Sequence, residues 1–170
     1  PFAVILPDDT VRAPIGCLWQ MMETYKKFGG NVVATCSVEP KDTSRYGILD
    51  IHPDNQDSLA IRGLVEKPKP EDAPSNMAIF GRYILQPEIF SHLDRFETGA
   101  GGEIQLTDAM ARLLKEQPFH GHRFDGERLD CGNDIGFVKA QIAYALDRPS
   151  LQNDILAYME EKLAIYRRQS

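Results

Sequence analysis

Three prolines set between two aliphatic runs constrain this chain more than any other feature. Residues 63–83 read GLVEKPKPEDAPSNMAIFGRY. Leu64 and Val65 favour a half-buried strand, and the run 78–85 is a second one. Between them Pro68, Pro70 and Pro74 stop regular structure and stiffen the connection, so the stretch is strand, loop, strand. Glu66 and Lys67 fall where the first strand ends. A carboxylate accepts from hydroxyls and an ammonium pairs with phosphate, so the pair suits a polyhydroxylated, phosphorylated ligand. Spacing alone fits equally well a surface turn with ordinary charges.

Around this stretch, strands alternate with helices. Residues 2–6 (FAVIL) form an apolar run without polar alternation, the pattern of a strand covered on both faces. A chain seldom opens inside such a strand, so a portion preceding Pro1 is expected. After Pro7, Asp8 and Asp9 comes a helix over 15–28, with Leu18, Met21 or Met22, Tyr25 and Phe28 on one face and Gly29–Gly30 as its stop. Strands follow at 31–38, 46–51 and 59–65, the last two joined by a turn at Pro53, Asp54 and Asn55. Beyond residue 85 the pattern gives helices over 87–96 and 103–115, short strands at 119–124 and 128–131, and amphipathic helices over 135–146 and 151–166. On the last of these Leu156, Met159, Leu163 and Tyr166 share a face expected to dock on the core, with a subunit contact as the alternative. A strand–helix–strand start followed by further strands indicates an α/β sheet with antiparallel additions.

The 170 residues, 42% of them hydrophobic, suffice for one well-buried domain. A net charge of −6 without a basic run argues against nucleic-acid and membrane-surface partners. No stretch is long and apolar enough to span a bilayer, and no signal-peptide pattern is present. Cys17, Cys36 and Cys131 are odd in number and lack CxxC spacing, which fits reduced thiols in a cytoplasmic protein.

Two carboxylates stand out. Asp8 follows one apolar strand and Asp130 a shorter one, and in open α/β sheets ligands lie beyond the carboxyl ends of the strands. Two such groups suit Mg²⁺, a hard cation often held by one or two carboxylates plus phosphate oxygens. Turn or cap roles account for the same residues. The glycine-rich 99–102 lacks the lysine and Ser/Thr of a P-loop and reads as a loop entering a helix begun by Glu103, where the dipole favours a carboxylate in any case. His120 and His122 share a strand face, but no third ligand has suitable spacing for a metal. Cys131 has no neighbouring base and reads as packing, and no G-x-S-x-G elbow is present.

Taken in order, LPDD (6–9), RYG (45–47), VEKP (65–68), APSNMAIFGRY (73–83), GAGGEIQLTDA (99–109) and DCGN (130–133) resemble the bacterial UTP–glucose-1-phosphate uridylyltransferases, or UDP-glucose pyrophosphorylases, among the sugar-1-phosphate nucleotidylyltransferases. The resemblance spans essentially the whole chain. It implies the C-terminal part of a Rossmann-like nucleotidyltransferase, an α/β fold whose mixed sheet is flanked by helices. Residues 1–170 would be a partial domain carrying the sugar and metal positions, with C-terminal helices over 134–167. The family's opening glycine-rich loop, GxGTR followed by proline, holds the nucleoside triphosphate and has no match here.

By this resemblance Asp8 and Asp130 correspond to the magnesium-binding aspartates, and with Lys67 they form the catalytic set. Glu66 corresponds to the glutamate that bonds sugar hydroxyls and Lys67 to the lysine that holds the sugar phosphate. Tyr46, Gly47 and the backbone at Ile79 correspond to walls of the sugar pocket, and Glu103 approaches the sugar as well. The implied substrates are UTP and glucose 1-phosphate, the implied cofactor Mg²⁺, and the expected assembly a homo-oligomer. The 170 residues alone are expected to be inactive. A sister enzyme using another sugar or base, such as a thymidylyltransferase, and a non-catalytic homologue that binds sugar nucleotide both remain open.

Overall fold

The computed structural model describes residues 1–51 and 59–169. In chain order the elements are β1 (Phe2–Ile5), β2 (Asp9–Arg12), α1 (Cys17–Phe28), β3 (Asn31–Ser37), β4 (Gly47–Ile51), β5 (Leu59–Glu66), β6 (Met77–Leu85), α2 (Ile89–Leu93), α3 (Leu106–Leu113), β7 (Phe119–Arg123), β8 (Glu127–Asp130), α4 (Asp134–Leu146) and α5 (Pro149–Gln169). They fall into two compact units, Pro1–Leu6 with Ala13–Gly126 and Pro7–Arg12 with Glu127–Ser170. The turn expected at Pro53, Asp54 and Asn55 lies outside the described residues.

The first unit is built on a six-stranded sheet in the order β1-β6-β3-β7-β5-β4. β6 pairs with three other strands and is buried nearly throughout. One edge of β6 takes β3, from Val32 opposite Ile84 to Ser37 opposite Met77. Its other edge is divided between β1, with Phe2 opposite Leu85, and β4, with Ile48 opposite Ala78. β3 and β7 run parallel while the other pairings are antiparallel, so the sheet is mixed, as the sequence led us to expect. Helix α1 packs on β3, and α3 packs on β5. The core between them includes Val33, Leu49, Met110, Leu113 and Phe119.

Local chemistry sets the helix ends. The N–H of Gly29 donates to the Tyr25 carbonyl at 2.8 Å, and Gly29 and Gly30 both take positive φ, at +70° and +66°. Lys26 and Lys27 occupy the last turn, where the helix dipole favours cations. Met21, rather than Met22, is the methionine that α1 buries. Two expectations are corrected. Glu103 does not begin a helix, for it is extended and α3 starts at Leu106. Nor is β1 covered on both faces. Its exposure alternates, with Ile5 53% exposed. A continuous apolar run reads alike for a central and an edge strand, because the number of pairing partners is not encoded locally.

The second unit contains a strand that sequence patterning did not reveal. β2 (DTVR) pairs antiparallel with β8, placing Asp9 opposite Asp130 and Arg12 opposite Glu127. The Thr10 hydroxyl donates to the Leu129 carbonyl at 3.1 Å. Helix α4 packs on β8 and is capped by Asn133, whose side chain accepts from the Gly136 N–H at 2.9 Å. The two-residue link Asp147–Arg148 then turns the chain back so that α5 packs on α4. Arg12 grips the Asp147 carboxylate with two N–H groups and Glu127 with another, tying β2 to that link. On the face of α5 expected to dock, Leu156, Leu163 and Tyr166 are exposed and Met159 is half-buried.

Candidate functional site

In the first unit the residues singled out around Glu66 come together. β4 and β5 pair with Gly47 directly opposite Glu66. The backbone N–H of Lys67 donates to the Tyr46 carbonyl at 3.0 Å, which fixes the end of β5 against the residue before β4. Ile79 enters from β6, itself joined to β4 by the Ile48–Ala78 pairing. Their meeting point is the face of Gly47. A β-carbon there would stand 3.0 Å from the Ile79 δ-methyl, 3.0 Å from the Thr107 hydroxyl and 3.2 Å from the Glu66 Oε2. A side chain at this position would press on all three, so Gly47 lets one methyl, one hydroxyl and one carboxylate pack closely about its backbone.

The polar groups around Gly47 can accept and donate hydrogen bonds. The Glu66 side chain is 11% exposed, and its Oε1 lies 3.7 Å from the Lys67 ammonium. Lys67 reaches further into solvent on a backbone with φ +44°, in the left-handed region. A lysine gains nothing intrinsic there, and the following Pro68 also disfavours helical backbone. Such strain, of order 1–3 kcal/mol, persists where the surroundings impose it and is characteristic of functional positions. Ile79 contributes its side chain to the wall as well as its strand backbone.

Thr107 was not singled out, although it lies inside the GAGGEIQLTDA motif. It is buried in the first turn of α3, and its position in that motif was the available signal. Glu103 is exposed, with its Oε2 3.5 Å from the Gln105 side-chain amide and its carbonyl accepting from the Gly99 N–H at 2.8 Å.

Asp8 and Asp130 are brought together in the second unit, by the β2–β8 ribbon rather than by neighbouring strands of the large sheet. The Cys131 N–H donates to the Asp8 carbonyl, and the Gly132 N–H donates to Asp130 Oδ1 at 3.0 Å. Seen from the point where a Gly132 β-carbon would stand, Asp130 Oδ1 is 3.2 Å away and Asp8 Oδ2 3.3 Å away. The sum of those distances is the most by which the two oxygens can be separated. It falls inside the roughly 7 Å that one ion can bridge with a water. Both are hard oxygen donors, the type Mg²⁺ prefers, so the donor set fits that ion. Among the described residues no group of three or more His, Cys, Asp or Glu converges. This protein would therefore supply two ligands and leave the rest to water and phosphate.

The other candidates take structural places. His122 Nδ1 lies 2.7 Å from the Thr24 hydroxyl, and the His120 ring stacks on Phe28 with centroids 4.9 Å apart. Burial lowers the pKa of both histidines. The Cys131 sulfur lies 3.8 Å from the Thr10 hydroxyl.

The chain matches the family described as Nucleotidyl transferase over residues 1–146. It is 50% identical over 139 residues to a UTP–glucose-1-phosphate uridylyltransferase from Komagataeibacter xylinus, covering 82% of this chain and 49% of that protein. A UDP-glucose pyrophosphorylase solved in complex with UDP-glucose is 39% identical, with a TM-score of 0.80 over 86% of this chain and 57% of that one. A UTP-bound UGPase from Acinetobacter baumannii is 34% identical, with a TM-score of 0.79 over 94% of this chain and 56% of that one. The chain thus spans about half the length of the curated relatives it matches. With 146 residues matched, from the first strand to the end of α4, the chain belongs to the nucleotidyl transferase family.

Proposed function

We propose that these residues form the sugar- and metal-binding part of a UTP–glucose-1-phosphate uridylyltransferase. The observation that carries the reading is the convergence at Gly47, with the Glu66 carboxylate against it and the Lys67 ammonium beside that carboxylate. A carboxylate and a hydroxyl suit the alcohol groups of a hexose, and a lysine on a strained backbone suits its phosphate. The names of the relatives point to the same pair of substrates.

In the proposed reaction an oxygen of the glucose 1-phosphate phosphate attacks the α-phosphorus of UTP. The bond from that phosphorus to the bridging oxygen of the β-phosphate breaks, and pyrophosphate leaves with the bonding electrons. A phosphate monoester has its second pKa at about 6, so the nucleophile is ionised near neutral pH and no general base is needed. The remaining demands are alignment and charge neutralisation. Glu66 and Thr107 orient the sugar through its hydroxyls. Gly47 and Ile79 are assigned to the wall of the sugar site, Tyr46 anchors the strand end that carries Lys67, and Lys67 neutralises the sugar phosphate. Asp8 and Asp130 would hold Mg²⁺, which when bound offsets phosphate charge. Glu103 is assigned a sugar contact on the resemblance alone.

The working form is proposed to be a cytoplasmic homo-oligomer. Among the described residues no helix is long and apolar enough to cross a membrane. Because these 170 residues contain no GxGTR segment, they are expected to give no measurable turnover by themselves. The test is a chimera that joins an N-terminal segment bearing GxGTR to this chain. Pyrophosphate release from UTP and glucose 1-phosphate, abolished by Lys67→Ala, supports the reading. A folded chimera that binds UTP but never turns over glucose 1-phosphate contradicts it.

A further inference from the structure

Asp130 is shared between two pairs of carboxylates. Its Oδ1 accepts from the Gly132 N–H at 3.0 Å and, with Asp8 Oδ2, lies beside the place a Gly132 side chain would occupy. Its Oδ2 lies 3.9 Å from Arg128 Nη2, and the same nitrogen stands 3.9 Å from Asp9 Oδ1. The β2–β8 ribbon accounts for this second group. Asp9 is directly opposite Asp130, and Arg128, two residues before Asp130, falls on the same face. Like charges directly opposite repel across a strand pair, and a guanidinium nitrogen equidistant from both offsets that repulsion. All three side chains are less than a third exposed, so solvent screens them less than it would on an open surface.

Taking Asp8 and Asp130 as ligands of a divalent ion, as proposed above, we infer that Arg128 fills the second of two adjoining cation positions and so limits this centre to a single ion. The Asp8–Asp130 pair is left to the ion, while the protein's own guanidinium occupies the Asp9–Asp130 pair. Two-metal centres of phosphoryl chemistry hold their ions about 3.5–4 Å apart. Asp130, with a carboxylate on either side, has the place of a ligand that bridges such ions. Arg128 changes the outcome. Its guanidinium stays charged at any working pH, so the position is never vacated by deprotonation. A second divalent ion there would meet both its volume and its charge. Arg128 is thus a specificity-determining residue, which holds Asp9 out of the ion's coordination and leaves the remaining ligand places to water and phosphate.

Mn²⁺ titration of the 170-residue protein, followed by paramagnetic resonance, counts the ions without turnover. Wild type should saturate at one ion. Arg128→Gln removes the charge and keeps a polar side chain, so it should take two, the second broadening the spectrum of the first. Adding Asp9→Asn to that variant should return the count to one, which distinguishes a released ligand from a general gain in negative charge. Arg128→Lys, which keeps a cation, should stay at one. A purely structural arginine would behave differently, its loss lowering the melting temperature without adding an ion. In Arg128→Gln the opposed Asp9 and Asp130 should lower the melting temperature, and Mn²⁺ should raise it by more than in wild type. Wild type with two ions, or Arg128→Gln with one ion at unchanged affinity, overturns the inference and leaves the metal reading standing. The first of these needs no substitution, so the inference can fail even if Arg128→Gln does not fold. Wild type with no bound Mn²⁺ removes the metal reading and the inference with it.

Discussion

The carboxylates of Asp8 and Asp130 flank one glycine, each with an oxygen within 3.3 Å of the place a Gly132 side chain would occupy. Residues more than a hundred positions apart in the chain therefore present two oxygens, Asp130 Oδ1 and Asp8 Oδ2, to a single small space. Mg²⁺ binding should depend on both. Asp8→Asn and Asp130→Asn are each expected to weaken binding about ten- to a hundredfold, the loss of one charge-assisted contact. Mn²⁺ titration followed by paramagnetic resonance reads this without turnover. Gly132→Ala is a sharper probe, because it removes no ligand yet fills the space between them. It too should weaken the ion, and unaltered affinity in all three variants would remove the metal from this site.

At Gly47 the expected effect comes from volume. A β-carbon there meets a methyl, a hydroxyl and a carboxylate at 3.0–3.2 Å, so Gly47→Ala should cost about 1–3 kcal/mol of stability through overpacking. It should also displace the Glu66 carboxylate and weaken glucose 1-phosphate binding while UTP binding in the chimera persists. Thermal denaturation and sugar-phosphate titration together check the pair of effects.

Lys67 carries a prediction of opposite signs. Its φ of +44° is costly for lysine and free for glycine, so Lys67→Gly should stabilise the fold by up to about 1 kcal/mol. The same substitution removes the phosphate-binding charge and should weaken glucose 1-phosphate binding about ten- to a hundredfold. A variant both less stable and equally able to bind would contradict the role assigned to the strained backbone.

How far the sequence carried this account depended on the range of the signal. The strand–loop–strand around Pro68, Pro70 and Pro74 was legible, because its prolines and aliphatic runs act locally. So was the stop of α1 at Gly29 and Gly30. β2 was not legible, since DTVR has too little alternation to declare a strand and its partner lies more than a hundred residues away. For the same reason the meeting of Asp8 and Asp130 was anticipated at the end of a large sheet, whereas a separate two-stranded ribbon brings it about. Thr107 was hidden by its position in a helix, where pattern alone marks it as an ordinary first-turn residue. The exposed face of α5 had the spacing of a packing face, but spacing does not say against what it packs.

Acid should destabilise the protein in two separate windows. Burial lowers the pKa of His120 and His122, so the unfolded chain binds their protons more readily than the folded one. Their contribution is complete above the unfolded value of about 6.5 and is lost as pH falls from there toward the lowered folded values. Asp147 is held below the usual carboxylate range by its hydrogen bonds from Arg12, so its contribution is lost only as pH falls below about 4. Melting temperatures from pH 8 to pH 3 should show both steps. His120→Gln with His122→Gln should flatten the first and leave the second, and an undiminished first step would assign it to other groups.

The most direct measurement is an NMR titration of the 170-residue protein with glucose 1-phosphate, and separately with glucose. The account predicts shifts centred on the amides of Gly47, Glu66, Lys67 and Thr107. It also predicts that Lys67→Ala weakens glucose 1-phosphate about ten- to a hundredfold and leaves the weaker glucose interaction unchanged. Shifts elsewhere in the chain, or equal affinity of wild type and Lys67→Ala for the phosphorylated sugar, would contradict it.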